Sequence, residues 1–182
     1  NARLFIPLHS KIVMLKTIWL LTHPTEFNKP SNTGHLVAAS INAESTSSAI
    51  GVRVVAWSRV YQEPELLNAL KEPSLLVYPS EQALELDVAK PEVDLTAFSN
   101  LLIIDATWQL ARKIYNQSPY LHSLSSIKLV GAEPSRYLLR RNQLQTGWCT
   151  AEIAIILLRL LQYPVCAETL ATEFSAFNQR NK

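Results

Sequence analysis

The sequence predicts an α/β domain with a mostly parallel sheet flanked by helices, and three observations carry that expectation. Apolar, β-branched segments alternate with helix-like ones along the whole chain, the order in which β-α-β units build parallel sheets. Leu101-Leu102-Ile103-Ile104 places four aliphatic residues in a row ahead of Asp105, as suits a strand buried on both faces. Polar clusters also stand directly after several apolar runs, where parallel strands present ligand sites at their carboxyl ends.

Residues 1–12 are expected to be irregular. Ile12 to Leu21 reads as the first strand, stopped at Thr22-His23-Pro24 because proline cannot donate to a ladder. Turn formers fill Thr25 to Thr33, and Gly34 opens a short helix through Leu36 to Ile41. After a Ser-rich connection, Glu44 to Ser48, the apolar stretch Ala49 to Trp57 reads as a second strand. Pro64 to Leu70 is a helix with proline in its first turn, and Leu75 to Tyr78 a third strand. Ser80 and Glu81 are suited to cap a segment Gln82 to Val88. A polar connection, Lys90 to Thr96, leads to the strand Leu101 to Asp105 and the helix Gln109 to Asn116. Ile127 to Val130 supplies a fifth strand, and Pro134 to Gln145 a loop with some helix. Ala151 to Leu161 is a long apolar helix, followed by a last one over Ala167 to Phe177.

The chain of 182 residues is expected to form one domain, with its core over about residues 13–162. Apolar residues make up 48% and charged residues 18%, a balance that excludes extensive disorder. No apolar run reaches the roughly 20 residues that span a bilayer, so no membrane partner is expected. The opening lacks the charged-then-apolar pattern of a secretory signal, and the expected location is cytoplasmic. Cys149 and Cys166 are too few and too distant for a disulfide framework or a four-ligand zinc site. The net charge of +2 is modest but uneven. Eight Lys/Arg face ten Asp/Glu before Asp105, and nine face five from Asp105 onward, which gives −2 against +4. Arg112-Lys113 and the set Arg136, Arg140, Arg141 are the densest basic clusters, able either to attract phosphates or simply to be solvated.

Four polar clusters follow strands or precede helices: His23 to Glu26, Pro79 to Glu81, Asp105 to Trp108, and Thr150 to Glu152. In a parallel sheet the first three share one edge. Asp105 or Thr107 serves a site there, or caps the helix that begins near Trp108. Trp108 stacks on a ligand or fills core space. A phosphotransferase with an aspartate nucleophile is one reading of Asp105, but the general acid expected two residues on is replaced by Thr107. Gly-rich phosphate loops, GxSxG elbows and HExxH pairs are absent.

These clusters combine into a pattern. His23-Pro24-x-Glu26 with Asn32-Thr33-Gly34, Tyr78-Pro79-Ser80-x-x-Ala83, Asp105-x-Thr107-Trp108-x-x-Ala111-Arg112, Ser135-x-Tyr137-x-Leu139-Arg140 and Thr150-x-Glu152 together resemble the DTW-domain family. That resemblance implies a tRNA-uridine aminocarboxypropyltransferase, which moves the 3-amino-3-carboxypropyl group of S-adenosylmethionine to N3 of a uridine in tRNA. It also implies a relation to SPOUT methyltransferases, which often dimerise, with a sheet whose C-terminal part can be knotted; the chain itself is expected as a monomer or a homodimer. Such families carry an N-terminal cysteine cluster that this chain lacks, so no metal is expected. Cys149 replaces a usual Ser, and Ala106 a usual Gly.

For this reaction the resemblance makes Asp105 the first choice of base for the N3 proton, and Glu152 the second. Asp105 could instead bind the donor's α-amino group. Pro79, Ser80, Thr107, Trp108, Leu139 and Thr150 are implied at the S-adenosylmethionine site. His23, Glu26, Arg112, Arg136, Arg140 and Arg141 are implied on the tRNA side, and the four arginines could instead grip the donor's carboxylate with a bidentate fork. The alternative functions are an RNA-binding protein without turnover and the aspartate-dependent phosphotransferase.

Overall fold

The computed structural model describes residues 14–43, 50–131, 134–137 and 147–180. In chain order the elements are β1 (Thr17–Thr22), α1 (Gly34–Ala43), β2 (Gly51–Ala56), α2 (Pro64–Ala69), β3 (Ser74–Val77), β4 (Leu84–Asp87), β5 (Asn100–Asp105), α3 (Trp108–Asn116), β6 (Ser125–Val130), α4 (Thr150–Leu160) and α5 (Pro164–Arg180). Among the described residues six strands form one sheet in the order β2-β1-β5-β3-β6-β4, and every pairing is parallel. The mostly parallel sheet flanked by helices is therefore what the chain builds.

β5 lies near the middle, and all six of its residues are buried. Its side chains alternate between two apolar clusters, with Leu101 and Ile103 in one and Leu102 and Ile104 in the other. The first cluster fills the face covered by α1, α4 and α5, through Val37, Ile41, Leu157, Leu158 and Leu170. The second fills the opposite face under α2 and α3, through Leu66, Ala111 and Ile114. Because strands on both sides of β5 are parallel to it, the four-residue aliphatic run has a helix layer to meet on each face.

Three expectations change. The segment Gln82 to Val88 holds the edge strand β4 rather than a capped helix. Leu84 and Leu86 alternate with Glu85 and Asp87, and this period-two pattern pairs with β6 from Leu84 opposite Ile127 to Asp87 opposite Val130. Ser80 shares a 2.6 Å hydrogen bond with the Ser126 hydroxyl instead of capping a helix. β1 starts only at Thr17, and α5 starts earlier than expected, at Pro164, a residue tolerated in a first helical turn. The Ser-rich connection and most of the loop after Pro134 lie outside the described residues.

Candidate active site at the carboxyl edge of the sheet

The register places Asp105, the last residue of β5, directly beside Thr22, the last of β1. Since Ile104 faces α3, Asp105 turns toward α1 and α4. Asp105 is 5% exposed, and its carboxylate accepts three hydrogen bonds. Thr22 Oγ1 donates to Oδ2 at 3.0 Å, Asn32 Nδ2 to Oδ2 at 3.1 Å, and Thr150 Oγ1 to Oδ1 at 2.7 Å. A carboxylate has about four acceptor positions, so about one stays open. The positive end of the α4 dipole faces the same carboxylate, because Thr150 is the first residue of that helix.

The loop between β1 and α1 is shaped by its own polar groups. Asn32 bridges Asp105 and the Glu26 carbonyl oxygen through Nδ2, while its Oδ1 accepts from the Gly34 amide at 2.6 Å. Gly34 permits this approach: a Cβ there would lie 2.4 Å from Asp105 Oδ2. Thr33 Oγ1 accepts from the Ala151 amide, which ties this loop to the first turn of α4. The Tyr137 hydroxyl donates to the Ser31 carbonyl oxygen. These residues enclose a small pocket of about 80 Å³ whose walls include Glu26, Lys29, Asn32, Asp105, Thr107 and Thr150.

Thr107 stands at the N-cap position of α3 in extended conformation, yet its side chain makes no capping bond. Asp105 is committed to the opposite side, so neither residue caps α3, and Thr107 instead lines the pocket. Glu152 is differently occupied. Its Oε2 accepts from Ser135 Oγ at 2.7 Å and from the Cys149 amide at 2.9 Å, and its Oε1 accepts from the Arg136 amide at 2.6 Å. Glu152 thus fastens the Ser135-Arg136 segment to the start of α4. Burial, followed by the Glu152 charge, pushes the Cys149 thiol up to about 12, so it stays protonated and inert at neutral pH.

The residues implied on the tRNA side separate. Glu26 is only 8% exposed, pairs with Lys29 at 2.6 Å and lines the pocket of Asp105. His23 is also 8% exposed and stacks on Trp57 at 5.5 Å between centroids. Burial and then Lys113 hold the His23 imidazole below its ordinary value, with Lys29 adding to this and Glu26 opposing it. Arg112 is exposed on α3, and Arg136 is exposed beside Glu152. Leu139, Arg140 and Arg141 lie outside the described residues.

The residues implied at the S-adenosylmethionine site also divide. Asp105, Thr107 and Thr150 line the small pocket, whereas Pro79 and Ser80 line a second pocket of about 370 Å³ on the α3 side. Trp108 is 51% exposed and stacks on Tyr78 at 6.0 Å, so it is not a core residue. Thr22, Asn32, Thr33, Gly34 and Tyr137 were absent from the expected site. Asn32-Thr33-Gly34 and Tyr137 did stand inside the family pattern, whereas Thr22 gave no signal beyond ending a strand. Among the described residues no group of His, Cys, Asp or Glu could hold a metal ion, and no helix is long and apolar enough to cross a membrane.

The chain is a parallel α/β domain with a buried, hydrogen-bonded carboxylate at the sheet's carboxyl edge, where open α/β sheets place their ligand sites. More particularly, the model of the DTW domain matches residues 5–182, and the chain belongs to that family. It is 29% identical over 156 residues to tRNA-uridine aminocarboxypropyltransferase 2 of Drosophila melanogaster, covering 85% of this chain and 59% of the relative. The protein of the same name from Macaca fascicularis is 26% identical, with 87% and 51% covered. The chain thus spans between about half and three fifths of these curated relatives. The crystal structure of spTrm10(74) aligns with 90% of this chain and 97% of its own at a TM-score of 0.41 and 11% identity, a likeness too slight to identify a common fold.

Proposed function

We propose that this domain transfers the 3-amino-3-carboxypropyl group of S-adenosylmethionine to N3 of a uridine in tRNA. The observation that carries this reading is the Asp105 carboxylate, held by Thr22, Asn32 and Thr150 with an acceptor position left beside a small polar pocket. Family membership and the names of the relatives support the substrate and the transferred group.

The pocket residues suit the amino-acid end of the donor. Glu26 would hold its ammonium, Lys29 its carboxylate, and the Thr107 hydroxyl a further polar atom. A volume of 80 Å³ is well below the roughly 300 Å³ at which pockets enclose a whole small molecule, so this pocket receives one end of the donor. S-adenosylmethionine, when bound, supplies an electrophilic γ-carbon and a thioether leaving group that needs no acid. The help is needed by the nucleophile, because uridine N3 carries a proton at neutral pH. Asp105 takes that proton at its open acceptor position as N3 attacks. Glu152 is a positioning residue that keeps the Ser135-Arg136 segment and the α4 terminus in place.

The test is transfer of label from carboxyl-labelled S-adenosylmethionine to unmodified tRNA by the wild type and by Asp105→Asn. Asn preserves shape and removes the base, so kcat is expected to fall by about 10²- to 10⁴-fold with little change in the donor KM. A rise in donor KM with kcat retained would make Asp105 the ammonium ligand instead. If the wild type binds tRNA with strong salt dependence but transfers nothing, the domain is an RNA-binding protein without turnover.

A further inference from the structure

The larger pocket on the α3 side shares no lining residue with the pocket of Asp105. Tyr78, Tyr115 and His122 line it, and Trp108, outside the lining, continues their series of rings. His122 lies 4.6 Å from Tyr115, Tyr115 stacks on Tyr78 at 4.4 Å, and Tyr78 stacks on Trp108 at 6.0 Å, all between centroids. The series ends on the half-exposed Trp108, whose outer side has no ring partner among the described residues. Ser80, Gln82 and Asn116 bring hydroxyl and amide groups to the same pocket, and Arg112 brings a guanidinium.

The charge pattern of α3 is equally one-sided. Its sequence contains Arg112 and Lys113 but no carboxylate. Arg112, like Arg59, Lys71 and Lys90, forms no ion pair with a described carboxylate. Lys113 instead lies over the Trp57 ring at 5.8 Å. Cations without carboxylate partners beside exposed aromatic surface match the chemistry of an unstacked nucleotide: phosphate on the guanidinium, base on the rings, and base edges on amides.

We propose that this pocket docks one unpaired nucleotide of the RNA substrate, next to the uridine presented to Asp105, with its phosphate on Arg112 and an adjoining base stacked on the outer side of Trp108. The pocket volume of about 370 Å³ falls in the range that encloses a nucleotide-sized ligand. Glu81, also in the lining, is an acceptor for a ribose hydroxyl. Because the pocket lies on the far side of the strand ends from Asp105, the nucleotide it holds is not the one modified. It fixes the strand so that its neighbour reaches the catalytic carboxylate. This inference rests on the RNA substrate proposed above. It also reassigns Pro79, Ser80 and Trp108 from the donor to the RNA.

The test uses the full chain, a fluorescent single-stranded oligouridylate and an unmodified tRNA transcript, with Trp108→Ala and Arg112→Gln. Both side chains are exposed, and circular dichroism checks that each variant folds. Trp108→Ala is expected to weaken binding of both RNAs by roughly tenfold or more. Arg112→Gln is expected to weaken it and to reduce the slope of log K against log salt by about one. Calorimetric titration with S-adenosylmethionine is expected to be unchanged in both. Wild-type RNA affinity in both variants overturns the inference. So does loss of S-adenosylmethionine binding with RNA affinity retained, which assigns the pocket to the donor. A wild type that binds RNA through these residues yet transfers nothing would defeat the proposed activity and leave the docking site standing.

Discussion

The two faces of the sheet's carboxyl edge are built on opposite plans. On the α1 and α4 face, polar groups are buried and bonded to one another: Asp105 to Thr22, Asn32 and Thr150, Asn32 to Gly34, and Thr33 to Ala151. On the α3 face, Trp108 and Arg112 are exposed, and the aromatic rings end at solvent. A buried network holds a reacting group in one place at a high cost for any error, because each unpaired polar atom is expensive in a low dielectric. An exposed surface of rings and cations tolerates error and adapts to a flexible strand. The proposed chemistry on one face and the proposed docking on the other match that contrast, and substitutions on the two faces are expected to fail in different ways.

The largest effect is expected at the buried face, from Asp105→Asn, and the sharpest from its smallest neighbour. Gly34→Ala would normally strengthen a helix, by about 1 kcal/mol in an exposed interior position. Here the added Cβ would meet Asp105 Oδ2 at 2.4 Å, Asp105 Cγ at 2.7 Å and Asn32 Oδ1 at 3.0 Å. The carboxylate must move, and a displacement near 1 Å costs on the order of 10²-fold in rate. Transfer assays and thermal denaturation on one preparation are expected to show activity falling steeply without the usual gain in stability. A fully active, more stable Gly34→Ala would break the contrast, since it would mean that the network is loose.

How much of this was legible beforehand differs between the faces in the same way. β5 and its terminal Asp105 stood out because four aliphatic residues in a row need cover on both sides, and period-two alternation explains why β4 should have been visible in Leu84 to Asp87. The partners of Asp105 were harder to see. Thr22, Asn32 and Thr150 are 83, 73 and 45 residues away in sequence, and only parallel register and the α1 and α4 docking bring them together. Glu152 shows the converse. The family resemblance makes it a second candidate base, whereas the structure sets it in the first turn of α4, bonded to Cys149, Ser135 and Arg136. Trp108 could not be placed from its neighbours, because an indole after a strand end suits core and ligand equally; only the position of Tyr78 decides it.

Glu152→Gln separates holding the site from doing its chemistry. The amide keeps the shape but has one acceptor oxygen, while donors approach both carboxylate oxygens. Whichever way it is turned, an NH₂ group faces a backbone N–H, at a cost of about 1–3 kcal/mol. The melting temperature is expected to fall by roughly 2–10 °C. The loss in kcat should be far smaller than for Asp105→Asn. Equal losses in kcat would return Glu152 to the reacting groups.

The smallest expected effect lies at His23, where the two faces meet: it follows Thr22 in the chain and stacks on Trp57 beside Lys113. Burial and Lys113 disfavour its protonated form in the folded protein, so its folded value is below the ordinary 6.5. As pH falls through 6.5, the unfolded chain takes up this proton first and binds more protons than the folded one. Stability therefore drops across the window between 6.5 and the lower folded value, and below that value the loss from this group is complete. Replacing the imidazole by Gln removes the titration. Melting curves from about pH 7.5 to 5 are expected to show a steeper acid loss for the wild type than for His23→Gln. Parallel curves would show that the imidazole charges as easily between Trp57 and Lys113 as in the unfolded chain, and that the seam between the faces is open to water.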